Sequence, residues 1–330
     1  MFVRNKNIKI LLNYGLGPLL FGWLSYSIYK QINQQPHLKE TLRDLRHSVT
    51  GAQSWKIYLA LVLVPVNWGL EARKWQLLIK PVEKIRFLNA FMGVLAGLAF
   101  SMNTPNRIGE YGGRALYIHQ GHRWKALSLT VVGSFSQLII TLVLGAGGLL
   151  FLLANDATAG GIASYQIWIR VLLSGTIVVT AVLCLLYFRL GQITRWLEKI
   201  PKASKWVRHI AIIEDIPVTI LLRTISLSFV RYIIFVFQYI LLLQLFLVDL
   251  PVWHCFWLIS VLYLILAITP TIALAEIGIR GQVSLLLFTL LSSNSIGIAG
   301  AATAIWFVNL VIPALAGSLL FLSLKIFSDK

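Results

Sequence analysis

Carboxylates are scarce in this sequence. Twelve Asp and Glu stand against 29 Lys and Arg in 330 residues, a formal net charge of +17, and charged residues of both signs make up only 12% of the chain. A soluble domain usually carries about a quarter charged residues. Cysteine is nearly missing as well: Cys184 and Cys255 each sit inside an apolar run, which excludes a disulfide framework and a metal site built on thiolates. There is no G-x-x-x-x-G-K-[ST] loop, no H-E-x-x-H and no Asp-x-Asp pair, so direct ATP hydrolysis, zinc hydrolysis and a metal-held nucleotide-sugar all lack their motif. His119-x-x-His122 lies beside Arg123 and Lys125, where solvated residues are the expectation rather than metal ligands. Neither a metal nor another cofactor is expected.

What is present is apolar. Hydrophobic residues make up 58% of the chain, and mean hydropathy is +0.78. Runs long enough to cross the hydrocarbon recur, and a crossing helix needs about 20 residues. Without water at that depth the backbone must bond to itself, and the runs lack the alternation of barrel strands. The expectation is an all-α polytopic membrane protein, a single membrane domain over 1–330. In a soluble chain the basic excess would suggest nucleic acid first. Here it fits cytoplasmic loops and anionic headgroups, and no nucleic-acid partner is expected.

Full spans are predicted at about 8–29, 55–79, 126–153, 166–188, 219–248 and 297–324. Arg4, Lys6 and Lys9 precede the first, which reads as an uncleaved span because further spans follow and no small-x-small cleavage site is evident. The loop Asn155–Tyr165 has no basic residue, whereas Arg189–Pro217 carries six. By the positive-inside bias the first lies outside and the second inside, and both termini face the cytoplasm of a bacterial-type inner membrane. Residues 30–53 then fall outside despite Lys30, Lys39, Arg43 and Arg46. Leu38, Leu42, Leu45 and Val49 recur there at helical spacing, so an amphipathic surface helix is expected.

Two apolar regions, 87–118 and 252–291, are interrupted by Pro, Gly and charged residues. The first contains Thr104-Pro105, Arg107, Gly109-Glu110 and Arg114. The second contains Thr269-Pro270, Glu276, Gly278 and Arg280. In both, Glu follows the Pro by five or six residues and Arg follows the Glu by four, which suggests two re-entrant or broken helical hairpins. The chain divides as span–span–hairpin–span twice, with halves 1–153 and 166–330. Three full spans per half would invert the second, as in many secondary transporters.

The residue types suit a hairpin tip at membrane depth. Pro ends the incoming helix, and Thr or Asn can cap the next. Glu and Arg four apart share a helix face and can neutralise each other. Intramembrane charge is costly, so function is the default hypothesis, with a structural ion pair as the plain alternative. Substrate-binding or coupling candidates are Glu71, Arg73, Asn103, Thr104, Arg107, Glu110, Arg114, Arg231, Thr269, Glu276 and Arg280. Glu71 is expected to pair with a hairpin Arg. Arg73 and Lys74 can snorkel to the interface. Gln137, Gln238, Gln244 and Asn309 read as ordinary interhelical hydrogen bonds, and Gly93-x-x-x-Gly97 as a close helix crossing.

Thr104-Pro105 with Gly109-Glu110 and Arg114, the stretch Glu71-Ala-Arg73-Lys74-Trp75, and Thr269-Pro270 with Glu276-x-Gly278-x-Arg280 together resemble the lysylphosphatidylglycerol synthase transmembrane, or flippase-like, family. The resemblance spans nearly the whole chain. The second motif departs from the family's commoner Pro-Gly-Gly-x-Gly form, with Thr271, Ile272 and Ala273 after Pro270. The resemblance implies a lipid-handling protein. This sequence lacks the soluble aminoacyl-transferase domain of the multidomain members, so it is expected not to be a synthase and not to be an enzyme. The leading expectation is a lipid flippase or transporter. It would move an anionic or zwitterionic (glyco)phospholipid, with membrane lipids as its partners and the headgroup held between the hairpins. An integral-membrane transferase acting on a lipid-linked sugar or phosphate, and a small-solute or ion transporter, stand as alternatives. Oligomeric state is left open.

Overall fold

A computed structural model describes residues 53–102, 104, 107–155, 163–189, 216–270 and 276–322, with isolated positions 26, 51 and 191. Nearly all of the predicted first span, the amphipathic segment at 30–53 and most of both long loops lie outside the described residues. So do Asn103, Thr271, Ile272, Ala273 and the C-terminal lysines.

Every regular element among the described residues is helical. In chain order these are α1 (Trp55–Ile79), α2 (Phe87–Ser101), α3 (Gly109–Ala115), α4 (Arg123–Ala154), α5 (Gln166–Phe188), α6 (Val218–Leu245), α7 (Val252–Ile268), α8 (Glu276–Phe288), α9 (Ser295–Trp306) and α10 (Ile312–Leu322). A π-helical turn, Phe307–Val311, joins α9 to α10.

Four stretches are long and apolar enough to cross a bilayer: Gln120–Ala154, Gln166–Phe188, Val218–Leu245 and Ser295–Leu320. The protein is therefore a helical integral membrane protein. About six full spans were expected. The first lies outside the described residues, and α1, though 25 residues long, is not among the four. The reason is its polar second half, which carries Asn67, Glu71, Arg73 and Lys74. The two interrupted regions do break into helix pairs, α2 with α3 and α7 with α8. At 15 and 17 residues, α2 and α7 reach about 22 and 26 Å at 1.5 Å per residue, short of a 30 Å hydrocarbon core.

Local chemistry explains the breaks. After α7, Thr269 is extended (φ −89°, ψ 112°), as a residue before proline must be. After α2, the Thr104 Oγ1 accepts the Gly109 N–H at 2.8 Å, tying the first residue of α3 across the turn. A Cβ on Gly109 would meet the Phe100 carbonyl oxygen at 2.3 Å, so the turn admits only glycine there. The Thr104 hydroxyl also donates back to the Ser101 carbonyl at 3.3 Å, and Thr269 shares that backward bond, donating to the Ile265 carbonyl at 2.7 Å.

Helix α1 packs along α6, α2 against α10, and α7 against α4. Small residues allow the close approaches, as is usual between membrane helices. A Cβ on Gly148 would lie 2.7 Å from the Trp257 oxygen, and one on Gly317 2.0 Å from the Leu95 oxygen. Helix α5 packs mainly on α4 and leaves most of its surface outward.

The two helix pairs differ in tightness. In the first, a Cβ on Gly113 would lie 2.5 Å from the Gly97 Cα, and one on Gly97 2.7 Å from the Glu110 oxygen. The expected Gly93/Gly97 crossing is therefore real, with Gly93 under the Trp75 ring. In the second, Gly278 and Gly281 face open space. Gly113→Ala should cost about 1–3 kcal/mol by overpacking, whereas Gly278→Ala should be neutral or gain up to about 1 kcal/mol. Thermal unfolding of the purified variants in detergent checks the contrast, and equal losses would refute it.

Candidate functional site

The site is built from buried charge. Glu71 on α1 stands in contact with three cations. Its Oε1 accepts from Arg114 Nη2 on α3 at 2.8 Å, and its Oε2 meets Arg231 Nη1 on α6 at 2.7 Å and Lys74 Nζ at 2.8 Å. Arg114 also bonds Glu110 one turn back, the expected i,i+4 pair. Arg231 is held further by Asn67, whose Oδ1 accepts from its Nε at 2.8 Å. Its guanidinium lies over the Trp68 ring at 4.9 Å and the Phe235 ring at 5.1 Å. Those stacked faces fix the direction of its remaining N–H groups.

A second group forms around Glu276 at the start of α8. It pairs with Arg280 one turn on, and its Oε2 accepts from Arg107 Nη2 of the first hairpin at 2.9 Å. Arg107 thus links the two hairpins. It does so from a left-handed backbone (φ 57°), a conformation that costs a residue with a Cβ about 1–2 kcal/mol. Its side chain is 38% exposed, so it is the accessible member of the network. The Arg280 guanidinium lies 5.6 Å from the centre of the Tyr263 ring.

A cavity of about 360 Å³ opens beside this second group. Arg107, Arg231, Glu276 and Arg280 line it, with Thr269, Tyr263 and the π-turn residue Asn309. That volume is within the range of small-molecule sites, roughly 300–1,000 Å³.

The structure sorts the sequence candidates. Arg107, Arg231, Thr269, Glu276 and Arg280 share the cavity. Glu71, Glu110 and Arg114 form the adjoining buried network. Thr104 shapes the first hairpin's turn, and Asn103 lies outside the described residues. Arg73 does not belong to the network: it is exposed and donates to Gln76 at 2.7 Å. Lys74, expected to snorkel outward, is 1% exposed and also reaches Ser228. Helical spacing explains the exchange, because position 74 shares a face with position 71 and position 73 does not. Asn67, four residues before Glu71 and on its face, could have been found by the same rule. Nothing in the sequence marked Asn309 for the cavity.

A helical membrane protein with a charged, cavity-facing network is the class these features define. Residues 37–317 match the family described as the lysylphosphatidylglycerol synthase TM region, and the chain belongs to that family. No curated protein and no solved structure matches it.

Glu71 is the carboxylate in contact with three cations at once, and removing one partner from a buried ion pair costs about 3–5 kcal/mol. Glu71→Gln should therefore destabilise the protein by at least that order. Arg73→Gln should stay within about 0.5 kcal/mol of wild type. Thermal melts of the two variants in one detergent test the assignment, and a comparable loss for Arg73→Gln would overturn it.

Proposed function

We propose that this protein moves a lipid between leaflets of a bacterial-type inner membrane, its headgroup lodged in the cavity between the two hairpins and its acyl chains left in the bilayer. The observation that carries this reading is the Arg107–Glu276 link. It joins the two hairpins at the edge of a cavity whose charged lining would be costly beside hydrocarbon without a polar occupant. The family membership supports a lipid-related role.

The chain is read as two inverted halves, 1–153 with α1–α4 and 166–330 with α5–α10, in which α1 is matched to α6, α2 to α7, α3 to α8, and α4 to the α9–α10 helix. The packing supports this. The contact of α4 with α7 has its counterpart in α10 with α2, and α1 with α4 in α6 with α9, while α1 and α6 pack on each other. Exchange of that kind is what a two-fold axis in the membrane plane would produce. On this reading α2–α3 and α7–α8 are re-entrant, both termini are cytoplasmic, and the protein acts by transport rather than by chemistry on the lipid.

The test is leaflet exchange of fluorescent phospholipids in vesicles holding the full chain. Arg107→Gly removes the inter-hairpin link and relieves the left-handed backbone, while Arg280 continues to hold Glu276. Its melting temperature should stay within about 4 °C of wild type. Its exchange rate should change by about tenfold or more, as expected for loss of a charge-assisted contact. A folded wild-type protein that leaves every labelled lipid in its own leaflet refutes the reading. A chemically altered lipid recovered from the vesicles would replace it with a transferase.

A further inference from the structure

The charge of the cavity is unbalanced. Arg107, Arg231 and Arg280 line it with Glu276: three guanidiniums and one carboxylate. The network behind adds Lys74, Arg114, Glu71 and Glu110, whose charges cancel. Among the described residues the excess is therefore +2 whether the boundary is drawn at the cavity wall or around the whole network. An uncompensated excess of that size in a low-dielectric interior costs several kcal/mol per charge, so it selects a counter-charge.

The hydrogen bonds that remain unmade point to the same ligand. Asn309 is 3% exposed and lines the cavity, yet among the described residues neither its Nδ2 nor its Oδ1 has a partner. It sits in the π-helical turn Phe307–Val311, a distortion that recurs at functional sites. The buried Nε of Arg280, which also lines the cavity, is likewise unpartnered. A native interior rarely leaves such groups unsatisfied. The Asn309 Nδ2 and the Arg280 Nε are donors, and a phosphate offers acceptor oxygens to both.

We propose that the cavity binds a dianionic phosphate, a monoester or a diphosphate, with Asn309 among its ligands. This rests on the lipid-headgroup reading above for the source of the phosphate, though not for its chemistry. A phosphodiester carries one negative charge and compensates half the excess. A zwitterionic headgroup compensates none of it. A lysyl ester of a phosphodiester lipid, with two ammonium groups against one phosphate, would deepen the imbalance. The site therefore favours a lipid phosphate over the aminoacylated lipid in the family's name.

Native mass spectrometry of the full chain in detergent, titrated separately with dioleoyl phosphatidic acid, phosphatidylglycerol and phosphatidylethanolamine, tests this. Phosphatidic acid should be retained at about a tenfold lower concentration than phosphatidylglycerol, and phosphatidylethanolamine least, one charge-assisted contact being worth about that factor. Asn309→Leu should weaken phosphatidic acid retention by about tenfold yet leave the lipid-free melting temperature unchanged or raised, because it removes an unsatisfied buried amide. Inorganic phosphate serves as competitor: displacement at millimolar concentration assigns the site to free phosphate, and persistence assigns it to the lipid. Equal retention of all three lipids overturns the proposal. So does an Asn309→Leu protein that melts earlier with retention intact. Selective, Asn309-dependent retention without leaflet exchange would leave this inference standing and remove the transport reading. Exchange without selectivity would do the reverse.

Discussion

Glu71 is the contact on which the architecture turns. An ionised carboxylate on a membrane helix is tolerable only if its charge and lone pairs are used. Here they are used by groups from three different helices, Lys74 on α1 itself, Arg114 on α3 and Arg231 on α6. Hydrophobic packing alone would not fix this geometry, since lipid tails are as apolar as the helix surfaces they compete with. The charged contacts supply direction. They tie α3, the short second arm of the first hairpin, to α1 through Arg114, and they orient Arg231 so that it also faces the cavity.

The same constraint explains why glycine is concentrated at particular crossings. Arg114 can reach Glu71 only if α3 lies against α2, and the Gly97–Gly113 approach permits that. A side chain at either position would push the arginine away from its carboxylate. Serine has a related role deeper in. Ser228 on α6 lies 2.8 Å from Ser136 on α4 and 3.4 Å from Lys74, so the ammonium is coupled to α4 through two small hydroxyls.

Much of this was legible in the sequence, and the reasons differ by element. The boundaries of α1 and α5 follow from apolar length, and both match the predicted 55–79 and 166–188. The breaks after α2 and α7 follow from Thr-Pro. The Glu110–Arg114 and Glu276–Arg280 pairs follow from helical spacing. The same spacing separates Lys74 from Arg73: position 74 lies three residues from Glu71 on its face, whereas its neighbour in sequence points away and bonds Gln76. Asn309 is a different kind of miss. Its role depends on a π-turn and on the absence of hydrogen-bond partners among the described residues, and neither is a property of local sequence. The cross-hairpin contact of Arg107 with Glu276, 169 residues apart, is tertiary in the same sense.

The two hairpins share a motif but not a mechanical character, and this bears on how a cavity between them could serve a transporter. The first is closed by glycine backbones in contact, a Thr104 tie and an arginine shared by two carboxylates. In the second, among the described residues, nothing lies within 4 Å of a Cβ built on Gly278 or Gly281, and the Thr269 hydroxyl donates back to the Ile265 carbonyl. Fewer packed contacts mean a lower free energy for local opening. Movement of α8 would carry Glu276 and Arg280 with it, and these contribute two of the four charges that line the cavity. Arg107, the accessible partner of Glu276, is the contact such a movement must break or remake. On the transport reading proposed above, the first hairpin would provide a reference surface, and the second would carry the groups whose position decides whether a bound anion stays.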